Sequence, residues 1–266
     1  MAQEKWLLDG PKTIDLDGIR RLKVGLVGGH VDIVGHDEPG VRVEVHSVAG
    51  RDLLVRVDGD RLEIDHPQLR WDNWIEAFKN FGSSIRAEVS VLVPRSVAIM
   101  LGVVSAEALV SGIEADVQLN TVSGDLVADG LTGKLTSNAV SGETTVRNHT
   151  GRVGVNTVSG DVIASGAITH FDVDGVTSEV MLDATGIPDV VSVNTVSGAV
   201  TARFEPDTPA SYTVQTVGGK LQFDAQSITI VKGRYTARHG ELSERWTDVR
   251  INTVGGDVSI LHAVRA

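Results

Sequence analysis

Apolar and polar residues alternate along most of this chain in short runs. Val41, Val43 and Val45 stand two apart, as do Val89, Val91 and Val93, and a period of two predicts half-buried β-strands. From Val104 onward the runs shorten to five or six residues rich in Val, Leu and Thr, closed by Ser-Gly, Thr-Gly or Gly-Gly pairs. The words themselves recur: "NTVSGD" at Asn120 returns as "NAVSGE" eighteen residues later. With the valine as marker, the series Val104, Val122, Val140, Val158, Val176 advances in equal steps of 18 and then loosens to Val196, Val217 and Val254. Leu131-Thr-Gly and His149-Thr-Gly fall midway between copies, so each unit turns twice.

Self-similarity at a fixed period is the signature of stacked repeats. The prediction is an all-β, single-domain parallel β-solenoid (β-helix) over 1–266. It has irregular N-terminal rungs over 13–103 and regular TVSGD-type coils over 104–266, with successive coils about 4.8 Å apart. "VDGDRL" reads as a hairpin turn within the irregular part. The marker valines are expected to form an inward apolar ladder. Two residues before each stands Asn120, Asn138, Asn156, Asp174, Asn194, Gln215 or Asn252, a column whose side chains can bond to one another along the stack.

One segment breaks the β pattern. In "HPQLRWDNWIEAFKNFGSS", Trp71, Trp74, Ile75, Phe78 and Phe81 recur at helical spacing, which predicts a short amphipathic helix over 68–82. Its apolar face either packs on the coils or docks a partner. At the other end, "RINTVGGDVSILHAVRA" closes the chain on an apolar strand, and Ile260 and Val264 are the candidates for pairing with another protomer through an open edge. The insertion "YTARHGELSERW", through Trp246, is the rival cover for that edge.

Composition narrows the function classes. A formal net charge of −11 and 41 % hydrophobic content describe a folded acidic protein, with no electrostatic case for nucleic acid or an anionic membrane surface. Membrane contact is expected only weakly or through a partner. There is no cysteine, hence no disulfide or thiolate metal site. No apolar run has the length of a signal peptide or a spanning helix, so a cytoplasmic location is expected.

The chemistry-bearing residues follow the repeat. Asp125, Glu143, Asp161 and Glu179 form a column of turn carboxylates that breaks at Ala199 and Lys220. Such a column needs solvent, interleaved bases or a cation, and the nonapeptide of calcium-binding β-rolls is missing. Glycoside chemistry asks for carboxylates held at defined separations in a specialised groove, whereas these occupy one repeated turn position. The eight histidines show no metal-ligand spacing. No catalytic residue, cofactor or metal is predicted. The expected role is a non-enzymatic scaffold or protein-interaction module, with a carbohydrate-active lyase or glycosidase, or a surface adhesin, as the alternatives.

The irregular early strands, the strand ending "VLVP" at Val91 to Pro94 and the serial "TVSGD" copies together resemble the bacterial putative-adhesin family of β-strand-repeat proteins, domain of unknown function 4097. The likeness runs from about Leu22 to Ile260. It implies a parallel β-helical fold without known catalytic residues, and partners in bacterial envelope-stress systems encoded beside small membrane proteins.

Overall fold

The computed structural model of the protein describes residues 4–66, 85–228, 233–242 and 244–263. The described elements are 22 β-strands, and no helix occurs among the described residues. The helix expected over 68–82, with Trp71, Trp74, Ile75, Phe78 and Phe81, lies outside them, as does Val264. Two compact units divide the chain, Met1–Thr132 and Gly133–Ala266, so the boundary falls within the regular repeats.

The first unit holds β1 (Glu4–Leu8), β2 (Lys12–Leu16), β3 (Arg21–His36), β4 (Val41–Ala49), β5 (Leu53–Asp58), β6 (Arg61–Asp65), β7 (Arg86–Pro94), β8 (Ala98–Ser111), β9 (Val117–Thr121) and β10 (Leu126–Asp129). Long β3 runs parallel to β8 along nearly its whole length, while its other edge takes β6 against the first half and β7 against the second. The remaining early strands depart from the expected parallel rungs. β4 lies antiparallel to β2 and β7, and β5 antiparallel to β1 and β6. For β5 and β6 the cause is local: the predicted turn forms at Gly59, whose φ of 65° reverses the chain within two residues and leaves no room for a crossover.

The second unit holds β11 (Thr132–Ala139), β12 (Thr144–Thr157), β13 (Val162–Gly175), β14 (Val180–Ala184), β15 (Val190–Thr195), β16 (Val200–Phe204), β17 (Ala210–Thr216), β18 (Leu221–Phe223), β19 (Gln226–Ile228), β20 (Gly233–His239), β21 (Thr247–Thr253) and β22 (Val258–His262). Here the repeat becomes parallel pairing, with Val155 opposite Val173 and Val173 opposite Val193. The parallel strands bury alternate apolar residues, among them Val173, Val191, Val193, Phe171 and Phe204, whereas β19 and β20 bury none.

Coil order in space differs from order in sequence. The last coil, β21 and β22, is inserted between the coil of β15 and β16 and the coil of β17 and β18, paired in parallel on both sides. Ile260 therefore lies fully buried between Ala202 and Phe223, and its strand offers no open edge. The outermost layer is a reversed one: β20 runs antiparallel along β17, and β19 along β18.

The marker valines face outward, contrary to the expected inward ladder: Val158, Val176, Val196, Val217 and Val254 are 47 to 62 % exposed. Strand alternation explains it. A residue two places after a solvent-facing asparagine shares its face, so the valine goes out and the threonine between them goes in. Thr121, Thr157 and Thr253 are buried, and each hydroxyl accepts the N–H of the motif glycine three residues on, at 2.9 to 3.0 Å. The hydroxyl closes the turn while the γ-methyl fills the core. That glycine is dictated by coil-to-coil contact, since a Cβ on Gly256 would lie 1.9 Å from the Gly198 carbonyl oxygen, and one on Gly219 2.3 Å from that of Gly256.

Candidate functional site

Outward valines make a stripe on the second unit. In spatial order it runs Val158, Val176, Val196, Val254, Val217, each step fixed by a backbone hydrogen bond: Thr177 N–H to Val158, Val196 N–H to Val176, Val254 N–H to Val196 and Gly218 N–H to Val254. A contiguous row of half-exposed aliphatic side chains is not what an isolated monomer surface favours.

Beside it runs the predicted polar column. Asn156 Nδ2 donates to Asn138 Oδ1 at 2.9 Å, Asn194 to Asp174 at 2.8 Å and Asn252 to Asn194 at 2.7 Å. In register the column continues from Asn252 to Gln215 and on to Arg234 of β20, so a guanidinium stands where the next amide would. At the Arg234 end a shallow groove of ≈ 620 Å³ is lined by Val196, Val217, Val254, Gln215, Asn252 and Arg234, with their neighbours. Its described lining carries one charged residue, Arg234, and no carboxylate.

Two members of the predicted carboxylate column, Glu143 and Asp161, are tied into the turns. Asp161 Oδ1 accepts the backbone N–H of Glu179 at 3.0 Å, and at the equivalent turn of the last coil, outside the predicted set, Asp257 Oδ1 accepts that of Lys220 at 2.8 Å. Glu143 accepts the Thr145 hydroxyl. Each of these side chains serves a neighbouring backbone or hydroxyl donor, the work that backbone pairing cannot do where the strand bends.

A second cluster was invisible in the sequence. Asp224, at a left-handed φ of 50°, accepts the backbone N–H of His262 at 2.7 Å and meets His262 Nδ1 at 3.0 Å through both carboxylate oxygens. His262 Nε2 takes the Tyr212 hydroxyl at 2.8 Å, and His239 stacks on the same imidazole at 3.7 Å and 11°. His239 Nε2 donates to the Pro206 carbonyl at 3.0 Å. One ligand atom from each of Asp224, His239 and His262 lies within 4.8 Å of the others, close enough to suggest a cation site. The geometry argues otherwise. Both nitrogens of His262 are engaged, and face-to-face rings hold their in-plane lone pairs in parallel planes instead of aiming them at one point. Burial holds the His262 imidazole below its ordinary pKa despite the Asp224 carboxylate, and burial together with Asp224 pushes the Tyr212 phenol up. The cluster is a cross-brace tying β17, β20, β22 and the turn after β18. Its members lie 50, 38 and 33 residues from their partners, so no local spacing reveals it.

Comparison with known proteins places these features in a family. The profile of the Toastrack DUF4097 family matches residues 19–261, and the chain belongs to that family. Among solved structures it is similar to a putative adhesin from Parabacteroides distasonis ATCC 8503, at 14 % identity over 98 % of this chain and 97 % of that one, with a TM-score of 0.42. A putative adhesin from Parabacteroides merdae ATCC 43184 aligns at 10 % identity over 98 % and 96 % of the two chains, with a TM-score of 0.41. A putative lipid binding protein from P. distasonis aligns at 9 % over 96 % and 97 %, with a TM-score of 0.43. Among curated proteins none matches.

Proposed function

We propose that this Toastrack-family chain is a non-enzymatic interaction scaffold, coiled as a parallel β-solenoid, whose outer valine and amide face is the recognition surface. The observation that carries this reading is the aligned exposure of Val158, Val176, Val196, Val254 and Val217. Each takes a solvent-facing position at a measurable hydrophobic cost, and stacking makes the row continuous. The parallel coil is supported by a register that advances by a whole repeat at each step, from Val155 to Val173 to Val193. Interaction in place of catalysis is supported by polar groups already engaged: Asp161 and Asp257 bond to neighbouring turns, and the histidine cluster is internally paired.

The test is a photoreactive benzoylphenylalanine at Val217, the most exposed valine, carried in the producing cell. Met181 is also exposed but stands on another strand, and it serves as the control position. An adduct at 217 that is absent at 181, and lost when Val196 and Val254 become serine, is the expected result. Equal labelling at both positions, or release of reducing sugar from polysaccharides by the purified chain, refutes it.

A further inference from the structure

The polar column carries opposite charges four rungs apart, and beyond the carboxylate it continues to Asn156 and Asn138. From the carboxylate onward it reads, in register, Asp174, Asn194, Asn252, Gln215, Arg234, and the guanidinium stands on the last described rung. Four rungs separate them, about 19 Å at the usual spacing of strands. Asp174 and Arg234 are both exposed, and the valines run alongside.

The middle of the column spends part of its hydrogen-bonding capacity along the stack. Asn252 gives one amide proton to Asn194, and Asn194 gives one of its own to Asp174. An extended peptide laid along this stripe could pair only the edge that meets the amides, and would bury the N–H and C=O groups of the edge that meets the valines, at the full desolvation penalty. An α-helix brings its backbone bonds with it. Its pitch of about 5.4 Å also lies close to the rung spacing of about 4.8 Å, so one side chain per turn can settle between successive valines. Its macrodipole, positive at the N-terminus and negative at the C-terminus, matches the charges of the stripe when the N-terminus lies over Asp174 and the C-terminus over Arg234.

On the reading that this face is the recognition surface, we propose that its occupant is an amphipathic α-helix of a partner protein. The helix is about 13 residues long at 1.5 Å per residue and lies along the stacking direction with its C-terminal end at Arg234. Its inward side chains are aliphatic, spaced three or four residues apart, and an acidic side chain in its last turn meets Arg234.

The experiment reads both pitch and direction. Benzoylphenylalanine is placed at Val176 in one variant and at Val254 in another, in the otherwise intact chain, and the partner residue captured by each is identified by mass spectrometry. These valines lie two rungs apart, roughly 10 Å, which is six or seven residues of helix but three of extended chain. The expected result is a captured residue six or seven positions higher from Val254 than from Val176. Reversing the guanidinium with Arg234→Glu should lower adduct yield at Val254 at least threefold without changing the melting temperature. A spacing of two or three residues, a descending order, a lipid or sugar adduct, or indifference to Arg234→Glu overturns the helical occupant while leaving the recognition face standing. No adduct at either valine overturns both.

Discussion

Asn252 donates its side-chain amide to Asn194 at 2.7 Å although 58 residues separate them. Between the two in sequence lies a whole coil, Ala210 to Phe223, that carries the same motif yet stands one rung further out. The last coil has displaced its predecessor.

Paired cysteines should report that order. Ser192 faces Arg250 across parallel strands, and Arg250 faces Thr213 on its other side. Ser192 and Thr213 are therefore two rungs apart, roughly 10 Å, beyond the Cα separation a disulfide spans. Under mild oxidation Ser192→Cys with Arg250→Cys should cross-link in the folded protein, and Ser192→Cys with Thr213→Cys should not, as read on non-reducing gels.

Facing direction is open to a stability measurement. Val155 is buried and Val158 is half exposed. Val155→Asp places an unpaired charge in the core and should cost several kcal/mol, about 3 or more, whereas Val158→Asp should stay within about 0.5 kcal/mol of wild type. Urea melts of the two variants decide it, and equal losses would mean that the valine stripe is inside.

The glycine pair of the seventh marker copy supplies an internal control. A Cβ on Gly218 meets nothing within 4 Å, whereas one on Gly219 comes 2.3 Å from the Gly256 carbonyl oxygen. Gly219→Ala should lose about 1–3 kcal/mol by forcing the coils apart, and Gly218→Ala should be near neutral. The asymmetry also explains why serine occupies the first of the two positions in other copies, as at Ser159 and Ser197.

Acid should loosen the first unit through His66. This imidazole is buried, accepts the Val27 N–H at 3.5 Å, and has its pKa lowered to about 4, chiefly by desolvation with a smaller push from Arg51. An unfolded histidine titrates near 6.5, so the folded state binds fewer protons than the unfolded state below that pH. The stabilising contribution is whole above about pH 6.5 and declines as pH falls toward 4, by at most about 3 kcal/mol. His66→Leu should flatten the slope of unfolding free energy across this window. An unchanged slope would assign acid sensitivity elsewhere, with His149 and His262 next, since burial lowers both.

What the sequence disclosed was whatever is local. The period of 18 and the amide bonds could be read because turn chemistry lies within a few residues: a threonine hydroxyl, a glycine three positions on, an asparagine one before. The facing of the valines was equally present in the spacing. Asn138 and Val140 are two apart and so share a face, but hydrophobicity argued the other way and alternation prevailed. Coil order was not encoded in the period at all, because every copy offers the same pairing edge to every other. The brace of Asp224, His239 and His262 depends on that order, and so did the buried position of Ile260, which the apolar tail had suggested as an open edge.

Insertion of the last coil sets a schedule for assembly. During synthesis β15 emerges first and β17 soon after, yet the edge that each needs belongs to β21, which comes tens of residues later. The earlier coil must either wait with an unpaired edge or close on its sequence neighbour and reopen. Contacts this distant in sequence are slow to form. A chain stopped at Glu244 lacks the rung between β15 and β17, so it either keeps two unpaired parallel edges or closes them on each other in a pairing that the complete stack does not use.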